Sequence, residues 1–423
     1  MDWTIPEDIS KFLDDMDAFI DKEIIPIQEE YPELFDHRRE YTRTDVARGG
    51  VPTAQWREVM AEARRRSDRA GFYHYGLPKE LGGRDGSNLA MALIRERLTL
   101  RGPGLHAELA HEASTVGNVP IALALNEYGT PEQKEQYLEG VINGEGEIAF
   151  GLTEPNHGSD ATWMETTARR DSDDWIITGA KRFNSLVDVS VANMVFARTS
   201  GQPGKADGIT AFLVPMDLPG HDIQYYHWTM EMPTDHGEVH LDKVRVPHST
   251  ILGDEGKGLA PMQVFVHENR IRQAASGVGA TQFCIDRSVK YAEERVLFGK
   301  FLRDYQGIQW QLVELQTETE FIRNTVYKVA AQMDQMSRKE HEEYLSGVIA
   351  MCNYKANQLV CNAADRAMQI HGGSGFSRHQ PFESIYRHHR RYRLTEGSDE
   401  VQMRRIANRM FDFKKQPPPR TSL

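Results

Sequence analysis

The sequence predicts an α+β chain, mainly α, with helical segments on either side of one β region. Three observations predict it. Thr130-Pro-Glu-Gln133 is a helix start, with a threonine cap, proline at the first helical position and a glutamine placed to close a capping box. Trp175-Ile-Ile-Thr178 and Ile209-Thr-Ala-Phe-Leu-Val-Pro215 are short strand-like runs closed by glycine or proline. Leu345, Val348, Ile349, Cys352, Ala356, Leu359, Val360, Ala363, Ala367 and Ile370 recur at a 3.6-residue period, the buried face of one long helix that ends at Gly372-Gly373.

Taken in order, the chain up to residue 145 or so reads as helices, with loops at 77–83 and 101–104. The helix begun at Thr130 runs through Tyr137 and Val141 and stops at Asn143-Gly144. From residue 147 the period shortens. The stretch 191–197 is almost continuously apolar, as a strand covered on both faces would be. Val239 and Leu241 alternate, then Val244 and Val246 alternate after a shift of one residue, which marks a bulge. Beyond Gly253-Asp-Glu-Gly-Lys-Gly258 the helices return. The expected domains are therefore 1–146, 147–256 and 257–423, the first and last helical and the middle one β. No internal repeat is present, and low complexity is confined to Pro417-Pro-Pro419.

Composition limits the function classes. The chain has 423 residues, enough for two or three domains. Lys and Arg number 50 against 62 Asp and Glu, a net charge of -12, so a polyanion would need a local basic patch working against the global field. No apolar stretch approaches the ~20 residues that span a bilayer. The start, Met1-Asp-Trp-Thr-Ile-Pro, lacks the cationic segment and apolar core of a signal peptide. Cys284, Cys352 and Cys361 show no C-x-x-C spacing and cannot all pair. A reducing compartment is expected: a bacterial cytoplasm, with an organelle matrix left open.

Four runs carry the chemistry: Leu152-Thr-Glu-Pro-Asn-His-Gly-Ser-Asp160, Arg295-Val-Leu-Phe-Gly-Lys300, Gln369-Ile-His-Gly-Gly-Ser-Gly-Phe376 and Arg393-Leu-Thr-Glu-Gly-Ser-Asp-Glu-Val401. Their order resembles the acyl-CoA dehydrogenase family, flavoproteins that desaturate acyl thioesters. The resemblance implies an N-terminal helical domain, a middle β-barrel and a C-terminal four-helix bundle that build one active site around FAD. It implies an acyl-CoA substrate, an electron-transferring flavoprotein as acceptor, and a homodimer or homotetramer.

Removing an α-proton from a thioester requires a held base, and stabilisation of the enolate-like transition state at the carbonyl oxygen. A lone glutamate beside a glycine at a helix start suits this, because the backbone there is accessible and its N–H groups can donate. By resemblance the base is Glu396, and its own N–H belongs to the oxyanion hole. Some members carry the base on the helix entered by His267-Glu-Asn-Arg-Ile271, where Asn269 cannot serve. Read from its residues alone, Glu396 is an ordinary carboxylate at a helix start, favoured there by the helix dipole.

The resemblance places Phe150, Leu152, Thr153, Ser159, Phe183, Ser185, Ser398 and Glu400 at the flavin. Arg295, Phe298 and Gln306 meet the dinucleotide end, and Gln369, Gly372 and Gly373 reach the FAD of a neighbouring subunit. Ser159, His267, Arg270, Thr395 and Gly397 line the substrate path. Several positions depart from the family pattern. His157 and Trp163 are bulky where small residues are usual, Phe183 stands for a tryptophan, and Thr395 for a tyrosine found in many members. The last change points to a branched, bulky or oxygenated acyl group.

Alternatives stay open at several of these residues. Phe183 also reads as plain core, His267 as a surface histidine, and the Gly372 loop as a tight αL helix stop. Arg387-His-His-Arg-Arg-Tyr-Arg393 has the composition of a nucleic-acid arm, but reads better as a solvated or intersubunit helix face, and no nucleic-acid partner is expected. No strand–Gly-x-Gly-x-x-Gly–helix unit is present. His106, Glu108, His111 and Glu112 lack His-Glu-x-x-His spacing, and no metal is expected. A flavin oxidase or monooxygenase, or a non-catalytic flavin- or nucleic-acid-binding relative, remains as the competing function.

Overall fold

In the computed structural model, residues 4–107, 115–264, 266–411 and 413 are described. Glu108, His111, Glu112 and the Pro417–419 tail lie outside them. The chain forms two compact units, one of Met1–Gly86 with Gly102–Val266, the other of Ser87–Arg101 with His267–Leu423.

The first unit combines helices with the β region. Helix Pro131–Asn143 has its capping box: Gln133 N–H donates to the Thr130 hydroxyl at 3.2 Å and Thr130 N–H to the Gln133 side chain at 3.1 Å. The same glutamine amide donates to the carbonyls of Ser249 and Ile251, 2.8 Å each, tying the helix start to the strands. Gly144 ends the helix at φ 70°. The expected all-helical N-terminal stretch is interrupted by a pair of two-residue strands, Thr44–Asp45 and Val51–Pro52, joined through Gly49 and Gly50 at positive φ.

Eight strands build the sheet: β1 Ile148–Gly151, β2 Thr167–Asp171, β3 Asp174–Asn184, β4 Ala192–Arg198, β5 Ile209–Pro215, β6 His221–Tyr226, β7 Gly237–Pro247 and β8 Ile251–Leu252. Their order is β8-β5-β4-β2-β3-β7-β6, with β1 parallel to β4. Strand β4 is covered on both faces. Val195 and Ala197 enter one apolar cluster while Ala192, Met194 and Phe196 enter another. On β7 the expected bulge lies between the pairs Ile177–Val244 and Gly179–Leu241, with Lys243 at φ 52°. It returns Val244 and Val246 to the core face already occupied by Val239 and Leu241. The implied barrel is not closed by hydrogen bonds: among the described residues no pairing joins β8 to β6.

The second unit is helical: Val266–Glu294, Gln306–Met333, Ser346–His371, Phe382–Arg391 and Asp399–Met410. The periodic face of Ser346–His371 is its core stripe, with Ile349 and Val360 fully buried. Helix Asn88–Leu100 joins this unit, although its place in sequence groups it with the N-terminal helices. It is apolar around most of its circumference, and Ala92 packs among Ile271, Ala275 and Val326. Asp334 caps its start, accepting from the N–H groups of Asn88 at 2.6 Å and Leu89 at 3.1 Å. Among the described residues no helix is long and apolar enough to cross a membrane, and none carries three or more His, Cys, Asp or Glu grouped to hold a metal.

Candidate active site

Glu396 lies in the short link between helices Phe382–Arg391 and Asp399–Met410. Its φ is 54° and that of Gly397 is 98°, two left-handed residues in succession. For glutamate this conformation costs about 1 kcal/mol or more, so the surroundings must hold it. They do. Arg270 Nη2 donates to the Glu396 carbonyl at 2.7 Å, and Gln402 Nε2 to the carbonyls of Glu396 at 3.3 Å and Gly397 at 3.2 Å. Asn269 Nδ2 donates to Glu396 Oε1 at 3.3 Å. Ser398 caps the following helix, its hydroxyl accepting from Val401 N–H at 3.4 Å. Thr395 and Glu400 are exposed.

Arg270 is buried, and burial pushes its guanidinium down to about 10, with the nearby charge of Arg405 acting the same way. Asn353 fixes its backbone, donating to the Arg270 carbonyl at 3.1 Å. His267 is also buried, which overturns the surface reading: its Nε2 sits 2.9 Å from Glu342 Oε2. Arg405 reaches the same oxygen at 2.7 Å. The hydrogen bond from His267, followed by the charge of Arg405, overcomes burial and holds the Glu342 carboxyl down at about 2.

The other runs of this unit gather at one place. Val296–Leu297 and Lys300–Phe301 pair as a hairpin whose two turn residues, Phe298 and Gly299, have φ 50° and 78°. Phe298 is 90% exposed at the tip, and Arg295 and Gln306 flank the hairpin at the surface. Gln369, Gly372 and Gly373 are exposed beside it, because Ile370 packs with Ala292 and Leu302 in a small buried cluster. Gly372 has φ 59° and ψ -137°, so the helix does not end in the αL stop considered from sequence; this ψ is accessible essentially to glycine alone. Arg270 and Arg295 mark opposite ends of helix Val266–Glu294, about 37 Å apart at 1.5 Å per residue.

In the first unit, the turn after β1 presents Thr153 and Ser159. Phe150 and Leu152 are partly buried against the cluster around Phe196. The Thr153 carbonyl accepts from Arg182 N–H at 2.8 Å, which sets this turn beside the end of β3. There Phe183, at φ 56°, is 49% exposed, so it is not plain core. Its ring centroid lies 4.4 Å from that of His227. His227 contacts Glu238 at 3.0 Å, and Glu238 takes both ends of the Arg182 guanidinium at 2.9 and 3.3 Å. The Ser185 hydroxyl lies 3.1 Å from His236 Nδ1. Of the two bulky departures, His157 is held between Asp160 at 2.9 Å and Glu165 at 3.5 Å, while Trp163 lies exposed against Gly204.

The basic run 387–393 is not a free cationic face. His388 and His389 are buried against Tyr392, Arg387 pairs with Glu383 at 2.6 Å and Arg393 with Asp399 at 2.8 Å. His106 is buried. Sequence reasoning missed Glu154, Lys181, Glu238 and Glu342, each of which holds a candidate site residue or the turn carrying it. One signal was available: Lys181 shares the two-residue period of Trp175 and Ile177, which places it on the buried face of β3.

Family models described as the acyl-CoA dehydrogenase N-terminal, middle and C-terminal domains match residues 6–145, 149–244 and 256–411. The chain is 33% identical over 357 residues to a 3-(aryl)acrylate reductase of Clostridium sporogenes, covering 84% of this chain and 91% of that protein. It is 29% identical to a caffeyl-CoA reductase–Etf complex subunit of Acetobacterium woodii, covering 81% and 87%. The structure of a glutaryl-coenzyme A dehydrogenase in complex with glutaryl-CoA matches with a TM-score of 0.77 and 26% identity, covering 97% of this chain and 96% of that one.

Proposed function

The chain belongs to the acyl-CoA dehydrogenase family, FAD-dependent oxidoreductases acting on CH–CH groups, and we propose that it forms an α,β-double bond in an acyl-CoA thioester with Glu396 as the base. The observation that carries this reading is the Glu396 turn itself. A carboxylate held in a left-handed conformation, its backbone gripped by Arg270 and its side chain by Asn269, is a costly arrangement with no evident structural need.

In this reading Glu396 takes the α-proton, and its own N–H donates to the thioester oxygen where charge develops. Gly397 keeps side-chain bulk away from the reacting carbons. His267 and Arg270 border the acyl path, and Thr395 beside the base leaves room for a branched, bulky or oxygenated acyl group. FAD, when bound, accepts the β-hydride.

The residues present fit that cofactor. Thr153, Ser159, Phe183 and Ser185 offer hydroxyls and a half-exposed ring at the ends of β1 and β3, with Phe150 and Leu152 behind Thr153. A Cβ added at Gly372 or Gly373 would meet no atom within 4 Å, leaving open space over that backbone. By resemblance, Ser398 and Glu400 are flavin contacts as well. Arg295, at the end of helix Val266–Glu294 about 37 Å from Arg270, meets the dinucleotide end of FAD together with Phe298 and Gln306. Gln369, Gly372 and Gly373 serve the FAD of a second copy, in a homodimer or homotetramer. Electrons leave to an electron-transferring flavoprotein, in keeping with the relative named as part of an Etf complex.

Because the two relatives named above carry the names of reductases, the reverse direction is the second reading: Glu396 then returns the α-proton to an enoyl thioester. Anaerobic titration of the yellow protein with a panel of saturated acyl-CoAs tests the first. Bleaching of the flavin by one acyl class supports desaturation. No bleaching by any of them, with reoxidation of pre-reduced protein by an enoyl-CoA, moves the assignment to the reductase.

A further inference from the structure

Behind the 152–160 turn two opposite charges are sealed from solvent. Lys181 is fully buried and Glu154 is 3% exposed. Glu154 accepts from Lys181 Nζ at 2.8 Å and from the N–H groups of Glu165 at 2.6 Å and Thr166 at 2.9 Å. Lys181 Nζ also donates to the Leu152 carbonyl at 3.4 Å. The pair thus joins three segments at one point: the turn after β1, the chain entering β2, and β3.

Such a pair is a poor way to stabilise a core, since well-packed apolar residues often do as well or better. Its particular consequence is positional. Lys181 precedes Arg182, whose N–H holds the Thr153 carbonyl, and Phe183 follows. On the far side Glu238 grips the Arg182 guanidinium and His227, against which Phe183 rests. Thr153 and Phe183 are therefore fixed relative to each other through groups that neither residue supplies.

We propose that Glu154 and Lys181 are positioning residues for the flavin, setting Thr153 and Phe183 at the spacing the isoalloxazine ring requires. The proposal rests on the reading that the 152–160 turn and Phe183 face the flavin. It predicts that losing the pair changes flavin binding and redox behaviour more than it changes folding. Burial already pulls the Lys181 ammonium down to about 8, so a Glu154→Gln protein can relieve the unpaired charge by releasing the proton.

The test compares holoenzyme carrying Glu154→Gln, Lys181→Met and the double change, reading FAD dissociation constant, visible flavin spectrum, midpoint potential and thermal unfolding. The double variant leaves no charge buried and should unfold within a few degrees of the parent, yet bind FAD about tenfold or more weakly with a shifted flavin band. Glu154→Gln, the mildest change, should shift the band in the same direction. Folded variants with the parent's FAD affinity, spectrum and potential overturn the positioning role. A Thr153→Val protein with an unaltered flavin spectrum instead overturns the placement of this turn at the flavin.

Discussion

The side-chain amide of Asn269 donates to Oε1 of Glu396 at 3.3 Å, and the next residue, Arg270, donates to the carbonyl of the same glutamate at 2.7 Å. Two consecutive positions near the start of one helix therefore hold both the carboxylate and the backbone of the proposed base. Asn269 occupies the place where, by resemblance, some acyl-CoA dehydrogenases carry the base itself. Here that place has become a support for the other one. An N–H donated to a carboxylate favours its ionised form and narrows its orientations.

Asn269→Ala should leave FAD binding intact and slow flavin reduction by acyl-CoA by about tenfold, because the carboxylate loses one orienting contact. Asn269→Asp should act differently. A second carboxylate within reach of Glu396 disfavours ionisation of both, moving the acid limb of the pH–rate profile upward. Stopped-flow reduction across pH distinguishes the two, and parent profiles in both variants would leave Asn269 without a role.

Glu396→Gln keeps the volume and the carbonyl that Arg270 and Gln402 hold, so the turn should persist. Flavin content and acyl-CoA affinity are expected to stay near the parent values. The rate of flavin reduction should fall by about 10²–10⁴, the span attributed to a positioned general base. Reduction at the parent rate would take Glu396 out of the chemistry.

Thr130→Ala removes the cap hydroxyl from helix Pro131–Asn143 and should cost about 1 kcal/mol in urea unfolding, without altering flavin content. That cap was legible in the sequence because its partners lie three residues apart. So was the β7 bulge, encoded in the shifted alternation of Val239, Leu241, Val244 and Val246. The long core face of Ser346–His371 was legible for the same reason. Contacts between residues distant in sequence were not. Nothing local says that Glu342 meets His267 and Arg405, or that Glu154 meets Lys181. The burial of His388 and His389 within a basic run was hidden too, since composition alone reads that run as solvated. Of the candidate site, Glu396, the proposed base, and Gly397 stood out through the resemblance of the run that carries them. Their supports stand 126 and 127 residues away in sequence and needed the fold.

All three thiols are buried, and burial pushes each one up, Cys352 to about 12. A thiol so placed reacts slowly, since the thiolate is the nucleophile. Ellman's reagent at pH 8 should label none of them in the native protein and all three after denaturation. Rapid labelling of native protein would contradict the packing of helices Val266–Glu294 and Ser346–His371.

Glu342 stands where both elements flanking Glu396 converge. His267, near the start of helix Val266–Glu294, and Arg405, in the helix after the Glu396 turn, share one of its oxygens at 2.9 and 2.7 Å, and Arg409 approaches the other at 3.6 Å. Its carboxyl is held at about 2 in the folded chain, first by the bond from His267, against 4.5 for an ordinary glutamate. The folded state therefore binds this proton less readily than the unfolded state does. The stability it contributes is complete above pH 4.5 or so and disappears as pH falls toward about 2. The side chain is half exposed, so solvent screening reduces its size. Urea unfolding of the parent and of Glu342→Gln should show an excess stability for the parent at pH 6 that shrinks below 4.5. An excess that persists to pH 2 would mean the carboxyl is not the titrating group. The same variant should slow flavin reduction at pH 7 while binding FAD normally, because the clamp on the two elements bearing Asn269, Arg270 and Gln402 is loosened; unchanged reduction would confine Glu342 to stability alone.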